Sequence, residues 1–224
     1  MKNVIINSAK FAVRATLHPS YGRKQIRLYR DRKIVNKKRY DEYIEWFSKH
    51  TLTAEQLGEQ KQQSKKFRYR PLISILLPTY NTNPEYLRIC IDSVLSQSYD
   101  NWELCISDDN STNEQTKHVI REYVKKYDNI TVTFRKKNGH IAESSNTALT
   151  MAKGEYISLL DHDDILAPNA LFEAVNVINK YPEVELIYTD EDKIDQENNH
   201  IEPFFKPDWS PDFIHAIWLL ILRR

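Results

Sequence analysis

From Pro71 onward the chain alternates short apolar runs with amphipathic segments, and this alternation constrains the fold more than any other feature. Leu72 to Leu77 is the nearly unbroken apolar run that a strand buried on both faces requires, and it ends at Pro78-Thr79-Tyr80-Asn81. Asn83-Pro84-Glu85 then carries a capping side chain, a proline at the first helical position and an acid in the first turn. Leu87, Cys90, Ile91, Val94 and Leu95 follow at the spacing of one buried helix face. The same logic predicts strands over Trp102 to Ser107, Ile130 to Phe134, Tyr156 to Leu160 and Val184 to Thr189. Helices are expected near 114–127, 143–152 and 168–181. Strands and helices alternating in this way specify a doubly wound, Rossmann-like α/β domain: a mainly parallel sheet with helices on both faces.

Composition narrows what such a domain can bind. The four glycines, Gly22, Gly58, Gly139 and Gly154, are nowhere closer than 15 positions, so no glycine-rich phosphate cradle can be written in this chain. Charge divides the chain in two. Residues 1–70 carry 18 Lys and Arg against 6 Asp and Glu, and residues 71–224 carry 14 against 25. The front segment, with basic runs such as Arg30-Asp31-Arg32-Lys33 and a capping box at Thr53 and Gln56, reads as a basic helical arm. Its expected jobs are packing or attachment to a membrane surface. Nucleic acid is not expected as a partner, because the aromatics Tyr40, Tyr43, Trp46 and Phe47 do not interleave with the basic runs. Two cysteines without metal-ligand spacing and a weak N-terminal apolar run point to a reducing, cytoplasmic setting. Phe213 to Leu222 is apolar but too short to cross a bilayer alone.

In an open parallel sheet, ligands bind at the carboxyl ends of the strands. The residues after the strands here are Thr79-Tyr80-Asn81, Asp108-Asp109-Asn110-Ser111, Asp161-His162-Asp163-Asp164 and Asp190-Glu191-Asp192. Three of these four loops are acidic. Two carboxylates about 4 Å apart repel by roughly 4 kcal/mol at an effective dielectric near 20, so such loops call for a counter-charge. A divalent cation supplies it, and oxygen ligands point to Mg2+ or Mn2+ rather than zinc. Each loop has a plainer reading. Asp108 to Ser111 also suits a turn leading to a helix cap, Asp190 to Asp192 a solvated loop, and Asn138-Gly139 a turn. His162 is expected as a spacer with its ring in solvent.

These residues, together with Ser93-Val94-Leu95-Ser96-Gln97-Ser98-Tyr99 and Tyr188-Thr189-Asp190-Glu191-Asp192-Lys193, resemble family 2 glycosyltransferases with the GT-A fold over 71–212. Tyr43 to Arg70 is similar to the helical lead-in of bacterial members that build surface polysaccharides such as O-antigen. The resemblance implies transfer of a sugar from a nucleotide-diphosphate sugar, usually a uridine or thymidine one, to a glycan or glycolipid acceptor, with inversion. It places Tyr80 on or near the base, Thr79 among the nucleotide-binding residues, Asp109 as acceptor of a pyrimidine hydrogen bond, Asn146 near the nucleotide, and Asp161 at the ribose or the metal. Asp163 becomes the metal ligand of a D-x-D motif. Asp190, Glu191 and Asp192 resemble a loop near donor sugar and acceptor.

The resemblance also implies a general base beyond Lys206-Pro207-Asp208-Trp209-Ser210-Pro211-Asp212, and no acid follows Asp212. The expected layout is therefore a basic arm over 1–70, a donor-binding domain over 71–212 and an exposed apolar tail over 213–224, with the acceptor half truncated. Asp190, Glu191 or Asp192 must then supply the base, or the chain binds donor and metal without turnover. A signalling receiver domain, which also pairs acids after one strand, fits less well: the later loop carries three acids, and Lys193 follows three more.

Overall fold

The computed structural model describes residues 37–195, 197–207 and 220–224. In chain order the elements begin with α1 over residues 37–50, α2 (Ala54–Ser64), β1 (Ile73–Thr79), α3 (Pro84–Leu95) and β2 (Trp102–Asp108). They continue with α4 (Glu114–Lys126), β3 (Ile130–Phe134), α5 (His140–Met151), β4 (Tyr156–Leu159) and α6 (Ala170–Lys180). β5 (Leu186–Tyr188), β6 (Glu191–Ile194), β7 (His200–Phe204) and β8 (Leu220–Arg223) complete the chain. Two compact units result. One comprises the residues up to Thr51 with Asp190–Phe205, the other Leu52–Thr189 with Lys206–Arg224.

The larger unit is built on one six-stranded sheet in the order β3-β2-β1-β4-β8-β5. β1 through β4 pair parallel, and β8 runs antiparallel to both β4 and β5. Every residue of β1 and β2 is buried, as a central parallel strand covered on both faces must be. The period-two alternation of side chains splits the covering. Ile73, Ile75, Leu77, Leu104 and Ile106 pack with Leu87, Ile91, Ile120, Leu171 and Val175 from α3, α4 and α6. Leu76, Cys105 and Ile157 point the other way, against Ala148 and Ala152 of α5 and its end. Each fully buried Leu or Ile contributes about 1.5 to 3 kcal/mol, so this packing carries most of the sheet's stability. Helices on both faces of a mainly parallel sheet are the architecture the sequence pattern specifies.

Local signals place the helix starts. Thr53 and Gln56 form the reciprocal capping box of α2, and the Asn83 side chain accepts the Glu85 N–H ahead of Pro84 in α3. Glu103 is a buried acid within the sheet. Glu103 Oε1 accepts Ser74 Oγ at 2.6 Å, the Lys153 N–H at 2.5 Å and the Gly154 N–H at 3.2 Å, which fastens the turn between α5 and β4 to the two central strands.

The structure departs from the sequence reading in several places, and β5 covers only Leu186–Tyr188 of the run expected over Val184 to Thr189. β1 and β2 run on to Thr79 and Asp108, so the first two binding loops start later. α5 begins at His140 rather than near Glu143. Residues 191–204 form the hairpin β6–β7. The tail was expected to be exposed, but Leu220–Arg223 inserts between β4 and β5 and buries Ile221; Trp218 and the rest of 213–219 lie outside the described residues. The basic run at Arg30 to Lys33 is outside them as well. In the smaller unit, Phe47 of α1 stacks on His200 of β7 with centroids 4.0 Å apart, and Tyr43 is buried.

Backbone proximity makes Gly154 a sharp test of the larger unit. A Cβ there would meet the Leu72 carbonyl at 2.5 Å and the Ser74 amide nitrogen at 2.8 Å, both backbone atoms of the central region, whereas one at Gly58 in α2 meets nothing within 4 Å. Gly154→Ala should cost about 1 to 3 kcal/mol in urea denaturation, and Gly58→Ala should gain about 0.5 to 1 kcal/mol. Equal effects would contradict this packing.

Candidate functional site

Because Thr79 stands opposite Asp108 and Leu76 opposite Leu159 in a parallel register, the loops after β1, β2 and β4 leave the same edge of the sheet. The first two loops are tied together. Asn81 donates its N–H to Ser111 Oγ at 2.8 Å, and its Oδ1 accepts the N–H groups of Thr112 and Asn113 at 2.8 and 3.0 Å. Asn81, Asn110 and His140 all have left-handed backbones, with φ of 49°, 62° and 64°. They are three of the five such non-glycine residues among those described, and each follows one of the first three strands. Strained backbone of this kind concentrates where the fold holds loops for a purpose.

The pair Asp108 and Asp109 divides the two readings offered for this loop. Asp108 is fully buried and makes the turn: its Oδ1 accepts Ser111 Oγ at 2.6 Å, its Oδ2 accepts the Ser111 N–H at 3.0 Å, and the cap of α4 is Asn113. Thr79, also buried, reaches Asp108 Oδ1 with its hydroxyl at 3.4 Å. Asp109 faces the next strand. The Gly139 N–H is shared between its oxygens at 3.0 and 3.1 Å, and Arg135 Nε lies 2.9 Å from Oδ1. The same guanidinium donates from Nη1 to the Glu143 carbonyl at 2.6 Å and to Thr147 Oγ1, so it joins Asp109 to the first turns of α5. A Cβ at Gly139 would come within 2.5 Å of Arg135 Nη2 and 2.7 Å of Glu143 Cβ, so a larger residue there must displace one or both. The carboxylate of Asp109 thus keeps lone pairs for a further donor while its charge is already matched.

The expected pooling of every acidic loop around one ion is therefore corrected for Asp109: a protein cation, Arg135, balances it. Residue types gave no sign of this. Arg135 sits in the run Arg135-Lys136-Lys137, which reads as solvated, and only the pairing of β3 beside β2 brings it to Asp109.

The loop after β4 is the opposite case. Among the described residues no lysine or arginine pairs with Asp161 or Asp163. Asp161 is half-buried, and burial first, then the charge of Asp163, pushes its carboxyl above the usual range. Asp163 is exposed. Beneath them lies Cys90, whose Sγ–H donates to the Asp161 carbonyl at 3.5 Å; its thiol is raised by burial and then by the charges of Asp164, Asp163 and Asp161. His162 does not stand in solvent as expected. Its side chain is 34% exposed, and Nδ1 is enclosed without a hydrogen-bond partner, 3.7 Å from Asp163 Oδ1.

These residues fit a hard divalent cation. Among the described residues no three His, Cys, Asp or Glu side chains are grouped as a cage. Mg2+ and Mn2+ sites need only one or two carboxylates when phosphate and water complete the shell, and the uncompensated pair Asp161 and Asp163 has that composition.

The remaining candidates are dispersed. Tyr80 is 47% exposed at the end of β1, and Asn146 is exposed on α5. Asp190, Glu191 and Asp192 belong to the smaller unit, at the start of its hairpin. There Asp192 Oδ2 accepts the Tyr43 hydroxyl and lies 2.6 Å from His200 Nδ1. Burial, then the bond to Asp192, raises the Tyr43 hydroxyl well above its ordinary value.

Two outcomes follow from the charges. Arg135→Met strands the 2%-exposed Asp109 and should cost about 3 kcal/mol in urea denaturation. A loss below about 0.5 kcal/mol would show that the pair is a surface one. For Asp161, a folded-state value above the unfolded one means that ionisation costs stability at neutral pH and that the cost disappears as pH falls through the folded value. In chelator, Asp161→Asn should therefore melt above wild type at pH 7, with the difference closing as the solution is acidified. A wild-type advantage at pH 7 would contradict the assignment.

Comparison with known proteins places this edge in a family. Residues 74–217 match the model of glycosyl transferase family 2. Protein y4gI of Sinorhizobium fredii is 44% identical over 160 residues, 71% of this chain and 18% of its own length. The O-antigen biosynthesis protein RfbC of Myxococcus xanthus is 36% identical over 159 residues, 69% of this chain and 12% of its own. The chain thus spans less than a fifth of the length of these relatives. The crystal structure of S. aureus TarS 1–349 in complex with UDP superposes with a TM-score of 0.56 at 24% identity, covering 67% of this chain and 46% of that one, a likeness of fold. The family match, the sheet order and the loops at its edge agree: the chain belongs to glycosyl transferase family 2 and has the GT-A fold.

Proposed function

We propose that the larger unit binds a nucleotide-diphosphate sugar, a UDP- or dTDP-sugar, and that the protein transfers its sugar to a glycan or glycolipid acceptor with inversion. One observation carries this reading: at a single sheet edge, Asp109 is neutralised and held by Arg135 and Gly139, while no lysine or arginine among the described residues pairs with Asp161 or Asp163. The first arrangement suits a neutral pyrimidine, whose ring N–H needs an oriented acceptor. The second suits a dication carrying a diphosphate.

In this reading Tyr80 packs against the base, Thr79 keeps the end of β1 in register with Asp108, and Asp109 accepts the ring N–H. Asp161 and Asp163 hold Mn2+ or Mg2+. Bound there, the ion would act as Lewis acid and offset charge on the departing diphosphate. Asn146, exposed on α5, is assigned to the nucleotide. Attack by an acceptor hydroxyl needs a carboxylate to take its proton. Asp190, Glu191 and Asp192 are proposed for that step, Asp192 with the weakest claim because Tyr43 and His200 already engage Oδ2. No helix among the described residues is long and apolar enough to cross a membrane. The excess of basic residues over 1–70 makes that segment the proposed contact with an anionic membrane surface, on the cytoplasmic side.

Calorimetric titration with UDP and dTDP, each with and without Mn2+, tests the binding half. Binding should strengthen with Mn2+, and Asp163→Ala should lose most of that gain, on the order of tenfold or more, with its metal-independent binding intact. An unchanged Mn2+ response in Asp163→Ala would remove the metal assignment. Nucleotide release from donor sugars that does not rise with any glycan or lipid acceptor would reduce the unit to a donor-binding module.

A further inference from the structure

The segment from Ser93 to Tyr99 has no part in the site described so far, and the structure gives it one. Cys90, Ser93 and Gln97 succeed one another at the spacing of a single helix face, along α3 and just past its cap, Ser96. All three reach the segment that joins β4 to α6. Cys90 Sγ–H donates to the Asp161 carbonyl, and Ser93 Oγ accepts the Leu166 N–H at 3.1 Å. Gln97 spans the far end: Nε2 donates to the Ala167 carbonyl at 2.7 Å, and Oε1 accepts the Leu171 N–H at 3.0 Å. The Ser98 N–H adds a bond to the Pro168 carbonyl at 2.8 Å.

The segment has little order of its own. Among the described residues its internal backbone bonds outside the helix are Asp164 N–H to Asp161 at 3.1 Å and Ala170 N–H to Ala167 at 2.9 Å. Asp163 is exposed, and His162 Nδ1 lies 3.7 Å from its carboxylate. The position of Asp163 is therefore set through the backbone, which α3 and the residue after its cap hold at Asp161, Leu166 and Ala167. Gln97 and Ser98 are each 3% exposed. A buried polar stripe of this kind gives partners to backbone groups of the segment that apolar side chains of equal volume would leave unsatisfied. It also adds direction, since each bond fixes one backbone atom.

We propose that Ser93 and Gln97 are positioning residues for Asp161 and Asp163, fixing the loop so that the two carboxylates meet a cation at one spacing. The inference rests on the reading of these acids as the cation's ligands. Loss of either side chain leaves the carboxylates in place chemically but lets them wander, so cation affinity falls while the pyrimidine end of the site, on the loops after β1 and β2, is untouched.

The test uses the full chain with Ser93→Ala, Ser93→Thr, Gln97→Met and Gln97→Glu, and with Ile120→Val in α4 as a core control. UDP binding is titrated against Mn2+, and amide hydrogen exchange is followed over 161–167. Ser93→Ala and Gln97→Met should raise the Mn2+ midpoint on the order of tenfold, speed exchange over 161–167 and leave metal-free UDP binding unchanged. Ser93→Thr, which keeps the hydroxyl, should restore the midpoint. Gln97→Glu, which keeps the acceptor for Leu171 but not the donor to Ala167, should fall between. Midpoints within about twofold of wild type in both deletions, or an equal shift in Ile120→Val, would overturn the inference while leaving the cation reading intact. A wild type whose UDP binding ignores Mn2+ would overturn both.

Discussion

The site depends on an uneven neutralisation of charge at one edge of a parallel sheet. Parallel pairing of β1 with β2 and β4 is what brings acids from separate stretches of chain to that edge. Left alone they would repel, and the protein resolves the repulsion differently at the two ends. At the β2 end, Arg135 and the Gly139 N–H hold Asp109 in a buried ion pair. At the β4 end, Asp161 and Asp163 receive no lysine or arginine among the described residues, and burial, then the charge of Asp163, raises the Asp161 carboxyl. A wholly neutralised edge would have no claim on a dication, and a wholly bare one would be costly to fold.

Rigidity follows the same division. The loops after β1 and β2 are cross-linked through Asn81, Asp108 and Ser111, with left-handed backbones at Asn81 and Asn110. Among the described residues the loop after β4 has few internal backbone bonds, and Cys90, Ser93 and Gln97 tie it to α3 and the residue after its cap. Loops built this way let a scaffold of ordinary strands and helices present chemistry that the scaffold itself lacks.

Signals confined to a few neighbouring residues were legible in the sequence. Asn83-Pro84-Glu85, the Thr53 and Gln56 capping box and the buried run ending near Pro78 each specify their element without outside help, and the order of elements then specifies the sheet. Pairings across long stretches of chain were not. β8 is a short run within an apolar tail, and nothing local marks it as antiparallel between β4 and β5. The partners Arg135 and Asp109 are 26 residues apart. Of the adjacent acids Asp108 and Asp109, composition could not say which builds the turn and which faces outward from it, because that depends on where β2 ends. α5 starts three residues earlier than its periodicity suggests because Gly139 opens it without a side-chain cap and gives its N–H to Asp109.

Paramagnetic broadening of backbone amide resonances by Mn2+ in the presence of UDP measures the central claim most directly. The account predicts that signals from 161–164 broaden most, with weaker broadening in the loops after β1 and β2. Broadening centred on the 190–202 hairpin, with 161–164 left sharp, would contradict it.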